Sequence, residues 1–114
     1  MESDKFLTIG SVVMLKGGDK RAMITGYLPI PNNSGKLEMF DYIGCIFPEG
    51  IMSLQEILVF NHQQIEKIYS TGYQDKEVDN FKEELKMVER KIKSEGINNF
   101  LNSSPNLEKE DKLS

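Results

Sequence analysis

Residues 11–27 read Ser11-Val12-Val13-Met14-Leu15-Lys16-Gly17-Gly18-Asp19-Lys20-Arg21-Ala22-Met23-Ile24-Thr25-Gly26-Tyr27. Two stretches rich in apolar and β-branched residues flank Gly17-Gly18-Asp19, three residues that tolerate positive φ. A tight turn between antiparallel strands needs such backbone, so the pattern predicts a β-hairpin. Gly10 just before the first strand and Gly26 late in the second predict sharp bends, and the sheet that starts here is expected to curl strongly.

Working outward, residues 29–38 (Pro-Ile-Pro-Asn-Asn-Ser-Gly-Lys-Leu-Glu) carry dense turn chemistry and read as a mobile loop. A third strand follows over residues 39–47 and stops at Pro48-Glu49-Gly50. Residues 51–56 fit neither period. Residues 57–60 read as a fourth strand, Asn61 as the cap of a single helical turn over residues 62–65, and residues 68–71 as a fifth strand closed by Gly72. From residue 76 the period becomes helical. Val78, Phe81, Leu85, Val88 and Ile92 form one apolar stripe on a helix over residues 76–95, with Asp75 placed to cap its start and Gly96 its end. That stripe can pack on the sheet of its own chain or on a partner helix. The expected fold is α+β: a small, strongly bent antiparallel sheet or SH3-like barrel of about five strands with one C-terminal amphipathic helix. One domain spans residues 1–95, and a polar tail expected to be disordered spans residues 96–114, with Phe100 and Leu101 as a small apolar patch.

Composition narrows the function. The 114 residues carry a net charge of −4 with Lys and Arg interleaved among acids, so the basic stripe of a nucleic-acid binder is missing. A single cysteine, Cys45, excludes an internal disulfide, and its apolar neighbours predict a buried strand position. The first residues, Met1-Glu2-Ser3-Asp4, lack the build of a signal peptide. No apolar run approaches the roughly 20 residues of a membrane span. These features predict a cytoplasmic protein with no membrane insertion.

Chemical motifs fail on inspection. Cys45 and His62 supply at most two of the four ligands of a structural zinc site. Asp75, Glu77 and Asp79 alternate as in a calcium loop, but Asn80 stands where that loop needs Gly, and Lys86 where it needs an acid. These acids suit the positive end of the helix dipole instead. Cys45 lacks the exposed, electropositive setting of a catalytic thiol, Gly35-Lys36 completes no phosphate loop, and no Gly-x-Ser-x-Gly elbow exists. The expectation is a non-enzymatic chain with no catalytic residue, cofactor or metal.

The landmarks Ile9-Gly10-Ser11-Val12-Val13-Met14-Leu15-Lys16-Gly17-Gly18, Met23-Ile24-Thr25-Gly26, Phe40-Asp41-Tyr42-Ile43-Gly44-Cys45, Phe47-Pro48-Glu49-Gly50, Phe60-Asn61-His62 with Ile65, and Gly72-Tyr73-Gln74-Asp75 stand in this order. Together, over about residues 6–90, they resemble a small family of uncharacterised domains encoded in Gram-positive bacteria beside type VII secretion genes and LXG toxins. The resemblance implies a cytoplasmic adaptor, targeting factor or chaperone that engages an LXG-type toxin before export. Residues 51–54 (Ile-Met-Ser-Leu) are more apolar here than is usual in the relatives. Carried over as candidate partner-binding positions are Pro48, Glu49, Gly50, Phe60, Asn61, His62, Gly72, Tyr73 and Asp75, to which the sequence adds Phe100 and Leu101. Gly50 and Gly72 also read as turn residues, Phe60 as core and Asn61 as a cap, which leaves Tyr73 and His62 as the better candidates for exposed contact. Two rival readings are a small-barrel module binding nucleic acid or ribosomal components, and an antitoxin neutralising a toxin domain. The sequence leaves open whether the chain forms homo-oligomers.

Overall fold

The computed structural model describes residues 6–102. In chain order it comprises β1 (Val12–Leu15), β2 (Arg21–Tyr27), β3 (Asn32–Asn33), β4 (Lys36–Leu37), β5 (Tyr42–Phe47), β6 (Leu58–Phe60), β7 (Ile65–Ser70), α1 (Lys76–Glu95) and α2 (Ile97–Asn102). Five strands form one antiparallel sheet in the order β6-β5-β2-β1-β7, and β3 and β4 form a separate ribbon. Four strands thus run as a meander, and the fifth returns to the free side of β1 after a 3-10 turn over His62–Gln64. The expected α+β class and five-stranded sheet are present. The sheet stays open rather than closing as a barrel, because β6 and β7, consecutive in the chain, are its two edges.

The β1–β2 hairpin pairs Val12 with Met23 and Val13 with Ala22, and Gly17 supplies the positive φ of 76° in its loop. The bend expected at Gly26 is a register shift against β5 between Ile24 and Gly26. The bend expected at Gly10 is a tight turn in which Ser11 N–H donates to Thr8 O at 3.0 Å. Gly10 takes φ 97° there, a conformation costly for any residue with a Cβ.

Three expectations need correction. The third strand starts at Tyr42 rather than residue 39, because Leu28 enters the left-handed region (φ 54°) and ends the regular β2–β5 ladder. Two further bonds, Leu28 N–H to Asp41 O and Phe40 N–H to Pro29 O, carry the pairing on irregularly. The segment 29–38 is not featureless: it folds into the β3–β4 ribbon across Ser34-Gly35 (φ 57° and 85°), with Gly35 N–H donating to the Asn32 side chain at 2.9 Å. Two successive positive φ values make a type I′ turn, whose twist suits a hairpin. The last strand begins at Ile65 and carries two bulges against β1.

The core on one face of the sheet contains Phe6, Val13, Ala22, Ile24, Tyr42 and Phe60, closed by Leu85 from α1. Helix α1 has the expected bounds, and Asp75 accepts the Val78 N–H at 2.9 Å. Its buried residues are Leu85, Glu89 and Ile92. The docked face is therefore rotated away from the apolar stripe: Phe81 and Val88 keep 49% and 38% of their surface exposed. Lys82 reaches across instead to donate to Thr8 Oγ1 at 2.7 Å. Gly96 (φ 88°) ends the helix, donating its N–H to Ile92 O at 2.8 Å. The expected tail opens with α2, which packs on α1. The remainder, residues 103–114, lies outside the described residues. Among the described residues, no helix is long and apolar enough to cross a membrane.

Because Asp75 caps α1, Asp75→Ala is expected to cost about 1 kcal/mol and Asp75→Asn much less, since Asn caps nearly as well. Urea unfolding midpoints for the two variants check the difference.

Candidate interaction site

The Asp41-Tyr42 and Phe60-Asn61-His62 landmarks meet at one corner of the sheet, where Tyr42 pairs with Phe60 across β5 and β6. Asn61 enters the 3-10 turn in extended backbone, and its N–H donates to Gln64 Oε1 at 2.8 Å. Its own side-chain oxygen accepts the Asp41 N–H at 3.0 Å. In return Asp41 Oδ2 accepts the His62 N–H at 2.8 Å. The His62 ring lies with Nδ1 2.8 Å from the Tyr42 hydroxyl. Loop and strand are therefore held by reciprocal bonds between the two motifs. A cavity of about 520 Å³ opens beside them, lined by Met39, Asp41, Asn61, His62, Gln63 and Lys93.

Two tyrosines extend this network to the N-terminal segment. Leu7 N–H donates to the Tyr42 hydroxyl at 3.0 Å, and the Tyr27 hydroxyl donates to Leu7 O at 2.7 Å. Both backbone polar groups of Leu7 are thus satisfied by phenols, which pins Phe6 edge-on against both rings. Burial raises the pKa of both phenols. For Tyr42 the Leu7 bond opposes that shift, while the charges of Asp41 and Glu89 add to it. Glu89 is itself buried on the docked face of α1 and pairs with Lys93 at 3.1 Å.

The remaining positions carried over from the landmarks are dispersed. Pro48 follows a cis peptide bond and is exposed in the turn after β5, and Gly50 (φ 78°) completes that turn. Glu49 pairs with Lys20 across the same end of the sheet, and that hydrogen bond holds its carboxyl below the usual range. Phe60 is core, and Asp75 is the helix cap. Gly72 lies against the turn at Ile9 and Gly10, and its N–H donates to Ser11 Oγ at 3.2 Å. Tyr73 is 77% exposed. Phe100 and Leu101 are half-buried on α2. The apolar segment 51–54 leaves Ile51 and Met52 exposed.

One feature escaped sequence reasoning. A groove of about 450 Å³ separates the first turns of α1 from the Thr8–Ser11 turn. Ile9, Tyr27, Val78 and Phe81 give it an apolar lining, and Glu77 and Glu84 stand at its margin. The Tyr27 and Phe81 rings lie 6.2 Å apart across it. In the sequence Ile9 reads as a landmark and Phe81 as part of the apolar stripe. The signal that joins them is the i, i+7 pair Phe81 and Val88, off-centre on the docked face.

These features define a small α+β domain: a meander sheet with a returning edge strand, one capped helix, and an apolar groove between them. The chain belongs to the family described as Domain of unknown function (DUF4176), whose model matches residues 6–81. No curated protein and no solved structure matches it. The match takes in the polar corner, the whole five-stranded sheet and the groove residues up to Phe81, and stops short of α2 with Phe100 and Leu101.

Proposed function

We propose that this chain is a non-enzymatic adaptor that binds an LXG-type toxin in the cytoplasm and presents it for type VII secretion. The observation that carries the binding part of this reading is the groove between α1 and the Thr8–Ser11 turn. Ile9 and Phe81 there keep 50% and 49% of their surface exposed, and contiguous exposed apolar surface is what a protein partner covers. The polar groups at the family positions support it from the other side. Those of Asp41, Asn61, His62 and Asp75 are engaged in hydrogen bonds that hold loops and helix in place, which is scaffold work rather than chemistry. The choice of an LXG toxin rests on the resemblance in the landmarks.

The test is co-purification. The tagged chain is expressed with its neighbouring genes, and proteins retained through a high-salt wash are identified. A stoichiometric LXG toxin is the expected result; recovery of nucleic acid alone, or of nothing, sinks the reading. Cells that make the toxin without this chain then separate the roles, since an adaptor's loss blocks export while an antitoxin's loss kills the producer.

A further inference from the structure

We propose that the groove between α1 and the Thr8–Ser11 turn takes an amphipathic helix of the partner whose apolar stripe is flanked by Lys or Arg. This rests on the reading of the chain as a protein-binding adaptor and specifies the element and the charge it recognises.

The first support is the shape of the surface. Phe81 and Val88 lie seven residues apart on α1, hence on one side of it, just off the face that docks on the sheet. Ile9 faces Phe81 from the turn, Tyr27 and Val78 line the groove between them, and Val88 continues the exposed apolar surface along the helix. The apolar strip therefore runs along the helix axis, as an elongated partner requires. An extended peptide would need a free strand edge for its backbone. The groove walls are side chains of a helix and a turn, and the nearest edge of that kind, β7, is irregular with two bulges. Side-chain walls suit a helix laid in a groove.

The second support is charge. Glu77 and Glu84, also seven apart, border the strip on its solvent side and form no ion pair among the described residues. Of the lysines on α1, Lys82 bonds Thr8, Lys86 pairs with Glu83 at 3.1 Å and Lys93 with Glu89; Lys76, which precedes Glu77, leaves the helix about 100° around the axis from it. On this side Lys91 comes only a turn beyond Val88. A second copy of the chain would bring one acidic margin against another, whereas a helix with basic flanks meets an unpaired carboxylate on each turn pair.

The test uses the full chain and two labelled model peptides of about 18 residues, or five helical turns. Both carry the same Leu stripe; one has Lys flanks and the other Glu flanks. Fluorescence anisotropy is expected to give at least ~tenfold tighter binding of the Lys-flanked peptide. Glu77→Lys with Glu84→Lys reverses that preference. Phe81→Arg removes binding of the Lys-flanked peptide. Reversing two distant exposed acids, Glu38→Lys with Glu56→Lys, leaves the preference unchanged and so discounts net charge. Circular dichroism melts confirm that each variant is folded. Equal binding of the two peptides, no binding, or indifference to the groove variants overturns the proposal. A concentration-dependent dimer dispersed by Phe81→Arg also overturns it, in favour of a second copy. A toxin that co-purifies equally well with Glu77→Lys/Glu84→Lys rejects the groove and leaves the adaptor reading standing. Groove-dependent peptide binding without any co-purified toxin does the reverse.

Discussion

Gly72→Ala is expected to destabilise the fold by about 3 kcal/mol or more, lowering the melting temperature by roughly 12 °C or beyond at 4–8 °C per kcal/mol. A Cβ at this position would sit 1.9 Å from the Ile9 carbonyl oxygen, 2.8 Å from the Ile9 carbonyl carbon and 3.3 Å from Gly10 Cα. All three are backbone atoms, so no rotamer change relieves the clash. Nor can the turn retreat. It is held by Gly10 N–H to Ile24 O at 2.8 Å, Ser11 N–H to Thr8 O at 3.0 Å, and Ile24 N–H to Ser11 O at 2.9 Å. The Gly72 N–H itself is tied to Ser11 Oγ, and Ser11 is fully buried. Gly35→Ala provides the contrast: nothing lies within 4 Å of its Cβ, and only its φ of +85° is strained, a cost of about 1 kcal/mol. Thermal melts of both variants by circular dichroism decide the matter. A Gly72→Ala melting temperature within about 3 °C of wild type, less than 1 kcal/mol, would show that the turn gives way.

The turn that Gly72 supports presents Ile9 to the groove. Among the positions carried over from the landmarks, Gly72 allows the close approach of two backbone segments. Asp75 starts the helix bearing Phe81, and Asn61 fixes the corner where β5 and β6 meet. These landmark positions brace the backbone around the groove, whose apolar lining combines the landmark residue Ile9 with Tyr27, Val78 and Phe81.

Local chemistry was legible in the sequence, and long-range chemistry was not. Gly17-Gly18 announced the first hairpin, and Asp75 with Gly96 bounded α1 at both ends, because turns and caps are decided within a few residues. The Ser34-Gly35 turn was also written there, but its ribbon has only two residues per strand, too few for a period to register. The docked face of α1 departs from the apolar stripe for a different reason. Glu89 occupies the docked face through its pair with Lys93, while an apolar count places Phe81 and Val88 there. Closure of the sheet depends on whether β6 reaches β7, a tertiary matter that strand patterns do not encode. The clamp on Leu7 was invisible because it joins residues 20 and 35 positions apart.

That clamp carries the second large effect. Tyr42→Phe is expected to cost about 3 kcal/mol, the sum of one lost buried hydrogen bond and the penalty of a half-buried donor left without its acceptor. The donor is the Leu7 N–H, and His62 Nδ1 loses the hydroxyl 2.8 Å away at the same time. The ring itself is retained, so the aromatic contacts with Phe6 and Phe60 survive and no cavity forms. Phe at this position therefore isolates the hydroxyl. The phenol also sets a pH dependence. Burial raises the Tyr42 pKa above its ordinary value of 10.0, so the folded chain holds the proton after the unfolded chain has released it. The stability this confers is complete below about pH 10 and is lost as pH rises toward the folded value, with a slope of up to about 1.4 kcal/mol per pH unit. Wild-type stability should then fall above pH 10 more steeply than that of Tyr42→Phe, and the two curves should converge. Chemical unfolding between pH 8 and pH 11, with phenolate absorbance followed in parallel, measures both quantities. Parallel curves across that range would mean that the Tyr42 hydroxyl ionises freely in the folded chain and that Leu7 is anchored by Tyr27 alone.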